Sequence, residues 1–202
     1  MAVKKEKIRC PWCLGSELMI AYHDEEWGTP VRDDRKLFEF IVLDTFQAGL
    51  SWSTILNKRE NFRKAFDHFD YHKIARYSEK KIQKLLADEG RIRNKLKVYG
   101  TVNNAKQFLA VQKEFGSFDK YIWQFTGHKV IQNNWKSTKQ VPPKTKESDA
   151  MSKDLYDRGF KFVGSTICYA FMQAAGMVND HLVDCHRYRK TRNRSQKSKV
   201  SM

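Results

Sequence analysis

The chain has 202 residues, 38 Lys and Arg against 23 Asp and Glu, a formal net charge of +15, and 41% hydrophobic and 13% aromatic content. That composition can bury a sizeable core, which excludes a fibrous or wholly disordered chain. The charge favours a polyanionic partner, nucleic acid or an acidic membrane surface, over a small neutral metabolite.

Taken in chain order, residues 1–8 are polar and basic and read as a disordered N-terminus, with no apolar signal-type stretch behind them. Asp33 and Asp34 open a helix whose apolar positions Leu37, Phe38, Ile41 and Val42 cover one face. Residues 51–66 read as a single amphipathic helix through Trp52, Ile55, Leu56 and Phe62. Ser78 opens the next, through Ile82, Leu85 and Leu86, and Gly90 suits its C-terminal stop. A helix from Asn94 or Lys95 carries Val98, Val102, Ala105, Phe108 and Leu109, and Ser117 begins another. Residues 127–146, with Pro142 and Pro143, form the longest loop. Ser148 is read as the cap of a helix that Gly159 ends, and a core helix follows over residues 165–175. Period-two patterns are scarce, so the expected class is all-α. Residues 162–179 carry no charge, but Gly164, Ser165, Thr166, Gln173 and Gly176 interrupt them, so a core helix is preferred to a membrane span. Residues 189–202 form a disordered basic tail. From Arg187 onward there are seven Lys or Arg and no carboxylate, which suits both a solvated end and phosphate attraction.

Two features carry chemistry. The helix–turn–helix around Gly90, with Arg91, Arg93, Lys95 and Lys97 on its rim, reads either as an ordinary helical hairpin or as a clamp for DNA phosphates. The second is the Cys and His distribution. Cys10, Cys13 and His23 lie near one end, and His181 and Cys185 lie four apart near the other. Two ligands from each end would give the four-ligand set of a structural Zn²⁺, tying the termini together in a reducing cytoplasm where disulfides are rare. Spacing alone does not choose between Cys10, Cys13 and His23.

Several long stretches together resemble bacterial 3-methyladenine DNA glycosylase I: Arg9-Cys10-Pro11-Trp12, Ala21-Tyr22-His23-Asp24-Glu25-Glu26-Trp27-Gly28, Gln47-Ala48-Gly49-Leu50-Ser51-Trp52, Lys58-Arg59-Glu60-Asn61, Arg158-Gly159-Phe160-Lys161-Phe162-Val163-Gly164, and Val178-Asn179-Asp180-His181-Leu182-Val183-Asp184-Cys185. The resemblance covers residues 9–188 and implies a single glycosylase domain there, two helical lobes around a base pocket in the helix-hairpin-helix superfamily. It implies one structural zinc on Cys10, His23, His181 and Cys185, with Cys13 a bystander. It places Tyr22 and Trp52 as walls of the base pocket with Trp27 and Phe46 beside them. Asp44 stands in the position of the catalytic, adenine-reading carboxylate, and Leu50 would probe the gap in the duplex. Gly90, Arg91, Arg93 and Lys95 would meet DNA.

The implied activity is monofunctional hydrolysis of the N-glycosidic bond of N3-methyladenine in double-stranded DNA. The chain would act as a monomer in the bacterial cytoplasm, away from membranes and near the nucleoid. Asp44, Thr45 and Phe46 stand where the family usually has Glu, a small residue and Gln, and Met19 replaces a common Tyr. Asp is one methylene shorter than Glu, a reach of about 1.5 Å. The departures keep two alternatives open: a glycosylase of altered alkylpurine preference, and a zinc-containing DNA-binding module without catalysis.

Overall fold

The structure, a computed structural model, describes residues 7–87 and 94–189. It is mostly helical: α1 (Glu17–Glu25), α2 (Asp34–Gln47), α3 (Trp52–Asn57), α4 (Arg59–Ala65), α5 (Tyr71–Ile74), α6 (Glu79–Ala87), α7 (Lys95–Phe115), α8 (Phe118–Ile122), α9 (Lys146–Asp157) and α10 (Ser165–Ala174). Two short strands, β1 (Ile131–Gln132) and β2 (Val178–Asn179), pair in parallel. The all-α expectation needs that one amendment. Two-residue strands leave no period in the sequence, yet this pair fastens the long loop to the segment after α10.

Helix α2 is the axis of the molecule. Every residue from Leu37 to Phe46 is buried, because the helix packs against α3, α7, α8 and α10 at once. A helix enclosed on all sides needs apolar residues nearly all round, which this run supplies apart from Glu39, Asp44 and Thr45. Asp33 caps its start by accepting from Lys36 N. Against it lies α7, whose buried Val98, Val102, Ala105, Phe108 and Val111 recur every three to four residues. Phe108 stacks on Phe118 with ring centroids 4.0 Å apart and meets Phe38 edge-on at 5.2 Å.

The expected single helix over residues 51–66 is two helices. At Lys58 the chain takes φ −96° and ψ 0°, and its N–H bonds back to Ile55 O in a tightened last turn. The break turns α4 so that Arg59 faces inward. It donates to Glu26 at 2.7 and 2.8 Å and to Glu39 at 2.7 Å, while Lys36 and Arg63 complete the network. Helix α9 begins earlier than expected. Its cap is Thr145, which accepts from Ser148 N, and Ser148 returns the bond to Thr145 N as the third residue of a capping box. Helices α6 and α7 pack together, but the intervening turn, with Gly90, Arg91 and Arg93, lies outside the described residues, as does most of each basic end.

Gly176 shows how tightly the ends are woven. With φ +66°, a Cβ there would sit 2.3 Å from the Thr29 backbone. That closeness lets Gly28 N and Val31 N bond to Gln173 O and Ala175 O, laying the exit of α1 across the end of α10.

Candidate functional site

Consecutive residues on α1 serve two sites. One helical step of about 100° separates neighbours, so Tyr22 faces one way, into a cavity, and His23 another, into a cluster of sulfur and imidazole. The cavity has a volume of about 300 Å³. Its aromatic walls are Tyr22, Trp52, Trp27 and Trp12. Tyr22 and Trp52 lie 5.2 Å apart at 44°, and Trp12 meets Trp27 edge-on at 4.9 Å. Asp44 and Gln47 enter from α2, Gln173 from α10, Thr138 and Val141 from the long loop, and Asp180 from the segment after β2.

Asp44 is 2% exposed, and its Oδ2 has no hydrogen-bond partner. Burial alone pushes its carboxyl well above the usual carboxylate range. Burial, followed by the neighbouring Asp44, likewise raises the Tyr22 hydroxyl. The Trp52 Nε1 donor is also buried without a partner. An unpaired acceptor and an unpaired donor thus border one cavity. Each such group costs about 1–3 kcal/mol in a folded protein, so a pair of them in one place is a hydrogen-bonding pattern awaiting a ligand.

The other expected pocket residues divide. Trp27 lines the cavity, but Phe46 does not. Two positions beyond Asp44 on a helix is the opposite side, and there Phe46 packs on Phe62 and Phe66 at 4.8 and 5.9 Å as core. Met19 is buried core. Leu50 is 42% exposed on the turn after α2, whose Gly49 has φ +82° and whose Leu50 N–H bonds to Gln47 O. Lys97, read from sequence as part of a basic rim, is instead buried. Its Nζ donates to Phe46 O at 2.8 Å and Ala48 O at 2.6 Å, capping α2 and bracing the Leu50 turn. Lys95 is exposed at the first position of α7. Trp12, Gln47, Gln173 and Asp180 belong to the cavity and were not singled out for it from sequence. Trp12, Gln47 and Asp180 did lie inside recognised motifs.

On the other side of α1, Cys10, His23, His181 and Cys185 are all buried with their ligand atoms within 4.8 Å of one another. Cys185 Sγ lies 3.4 Å from His23 Nε2 and 3.7 Å from His181 Nδ1, and Cys10 Sγ lies 3.9 Å from His181 Nδ1. These are the edge lengths of a tetrahedron around an ion with bonds of about 2.0–2.3 Å. The surroundings suit a metal as well. His23 Nδ1 bonds to Asp24 at 2.8 Å, His181 Nε2 to Trp27 O at 3.2 Å, and Leu182 N–H donates to Cys10 Sγ. A hydrogen bond between the two sulfurs raises the Cys10 thiol and lowers that of Cys185. Burial lowers His181 towards the neutral form a metal needs. Cys13 stands apart, donating its thiol to Cys10 O. The group is a site that could hold a metal ion. It also borders the cavity: Cys10 lines it, and Trp27, one of its walls, meets the His181 ring at 4.7 Å.

The sequence matches the methyladenine glycosylase family over residues 12–188. It is 46% identical over 177 residues to the DNA-3-methyladenine glycosylase 1 of Escherichia coli (strain K12), covering 88% of this chain and 95% of that protein. It is 49% identical over 177 residues to the DNA-3-methyladenine glycosylase of Haemophilus influenzae (strain ATCC 51907 / DSM 11121 / KW20 / Rd), covering 88% and 96%. A crystal structure of a 3-methyladenine DNA glycosylase I superposes with a TM-score of 0.86 at 46% identity, over 89% of this chain and 98% of that one. An aromatic cavity with a buried, unpartnered carboxylate, set in this fold and this sequence, places the chain in the methyladenine glycosylase family.

Proposed function

We propose that this chain is a monofunctional DNA-3-methyladenine glycosylase, with residues 9–188 as its single catalytic unit. The observation that carries the reading is Asp44: a fully buried carboxylate with an unpaired oxygen, facing a cavity walled by electron-rich rings. A base in a duplex cannot reach such a cavity without leaving the stack, so the nucleotide is extruded first, at a cost of a few kcal/mol. Leu50, exposed on its braced turn, fits the role of filling the gap. Lys95, with Gly90, Arg91 and Arg93 just before it in the sequence, and the net charge of +15 supply phosphate attraction.

N3-methyladenine in DNA is already cationic, so its leaving group needs no proton. The task is selection and positioning. The faces of Tyr22 and Trp52, with Trp27 beside them, favour a cationic ring over a neutral one by about 0.5–2 kcal/mol. Asp44 accepts from the exocyclic amine, and the arriving positive charge favours its ionised form. The bond from C1′ to N9 breaks with its electron pair on the base, which leaves neutral, and water adds at C1′.

The Cys/His group fits Zn²⁺, held by Cys10, His23, His181 and Cys185. When bound, that ion supplies a crosslink between the two ends of the chain. No membrane role enters, and among the described residues no helix is long and apolar enough to cross a membrane.

The test is base release from DNA methylated at purines, with the liberated bases identified by chromatography. Release of 3-methyladenine that falls in Asp44→Asn supports the reading. Release of a different alkylpurine assigns an altered preference. Binding to the DNA without release assigns a non-catalytic DNA-binding protein.

A further inference from the structure

The cavity carries a second carboxylate. Asp180 is 3% exposed and lines the cavity. Its Oδ1 accepts from Asn133 Nδ2 at 2.7 Å and Trp135 Nε1 at 2.9 Å, and its Oδ2 from Tyr169 OH at 2.6 Å and Gln173 Nε2 at 2.8 Å. Both oxygens are thus filled by neutral donors, and no ion pair joins Asp180 among the described residues. Four neutral donors stand where water would otherwise solvate this carboxylate, and no Lys or Arg of the described residues is set against it. Tyr169 remains a donor because burial and then Asp180 itself raise its hydroxyl.

The rest of the lining sharpens the point. In a chain of 38 Lys and Arg, the described residues around the cavity include no Lys or Arg, and the two acidic side chains are Asp44 and Asp180. The two differ in kind. Asp44 has an unpaired oxygen, free to bond a ligand. Asp180 has none to offer.

We propose that Asp180 is the fixed negative charge of the base pocket, a specificity-determining carboxylate that favours a cationic purine over a neutral one through its field rather than by contact. The inference rests on the cavity being the base site. It has a consequence for turnover. The bound base is a cation until the C1′–N9 bond breaks. The electron pair then neutralises the base, the positive charge passes to the sugar, and water adding at C1′ releases a proton to solvent. Asp180 therefore holds the substrate base and not the product base, so its loss raises KM more than it lowers kcat.

The variant is Asp180→Asn. Its carbonyl can stay on the Asn133 and Trp135 side, where the indole can only donate. Its amide can face Tyr169 and Gln173, whose hydroxyl and amide can both turn to accept. Calorimetric titration of the full chain compares a permanent cation, 3,9-dimethyladeninium, with neutral 3-methyladenine at pH 8. Asp180→Asn should weaken the cation on the order of tenfold and the neutral base by less than about twofold. Tyr169→Phe, which loosens the same clamp but keeps the charge, should retain the wild-type preference. Equal losses for both ligands in Asp180→Asn, or no loss for either, would overturn the proposal. If wild type binds neither purine, or Asp44→Asn binds both as wild type does, the base-site reading fails and this proposal with it. A wild-type preference for the cation that survives in Asp180→Asn overturns only the proposal.

Discussion

The two sides of α1 differ in how completely their polar groups are matched. The imidazoles and carboxylate of the Cys/His group are partnered: Asp24 alone accepts from Arg9 and bonds to both His23 and His186, and hydrogen bonds from those three outweigh burial to hold its carboxyl low. One residue away, the cavity leaves Asp44 Oδ2 and Trp52 Nε1 with nothing. Matched polar groups hold a fold together, and unmatched ones wait for a ligand. The same helix carries both, so the Cys/His side anchors the wall of the cavity side. The two sites are therefore not independent, as the neighbouring pairs Tyr22–His23 and Asp180–His181 already suggest. Trp27 touches the His181 ring and lines the cavity.

The comparison breaks most visibly at a ligand. Cys185→Ser should remove bound metal, measured by elemental analysis at about one per chain in wild type. It should lower unfolding free energy by more than about 3 kcal/mol and also weaken base binding, because Trp27 loses its anchor. Retained metal, or a pocket untouched by its loss, would separate the two sides again. Next is Arg59, which holds Glu26 and Glu39 in the buried network beneath the site. Arg59→Met should cost about 3–5 kcal/mol by leaving buried charge uncompensated. Its pH dependence has a definite sign. Burial raises the Glu26 carboxyl, but hydrogen bonds from Arg59 and Lys36 outweigh it and hold it at about 2, below its ordinary 4.5. The Glu26 contribution is thus fully present above pH 4.5 and lost as pH falls towards 2, and the variant should lose that part of its acid sensitivity in denaturant titrations. Leu50→Ala should change stability by less than about 0.5 kcal/mol, since the side chain is exposed, yet slow base release from duplex. A single-stranded substrate should be affected less. The smallest effect belongs to Cys13→Ser, whose hydroxyl can still donate to Cys10 O. Metal content should stay at the wild-type level, and loss of metal would put Cys13 among the ligands.

Much of this was legible in the chain. The apolar spacing of α2 and α7 and the caps at Asp33, Asn94 and Ser117 are local signals, and the helices begin where those residues place them. Helix α1 was missed because one of its three buried positions is the polar His23, while the apolar Leu18 beside them is exposed. The break at Lys58 was missed because no Gly or Pro marks it; the inward pull on Arg59 comes from residues 20 and 33 positions away. The Cys and His spacing raised a metal site but could not discard Cys13, since a thiol's partner is a matter of tertiary direction. Phe46 was misplaced for the same reason: adjacency to Asp44 in sequence put it on the far side of the helix. Asp180 needed four partners from two other segments, the long loop and α10, which no local pattern reveals.

The most direct test of the central claim measures two properties of Asp44→Asn. A buried hydrogen bond to a charged group is worth roughly 1.5–3 kcal/mol, so release of 3-methyladenine should fall about ten- to hundredfold in kcat/KM. Stability should move the other way. With its carboxyl raised by burial, Asp44 costs the folded state increasingly as pH climbs from the ordinary 3.8. The variant should therefore match or exceed wild type at neutral pH, and the gap should widen with pH over that range. Loss of activity with unchanged or greater stability is the predicted result. Wild-type release by Asp44→Asn, or a loss of activity explained by unfolding, would contradict a carboxylate held unpaired for the base.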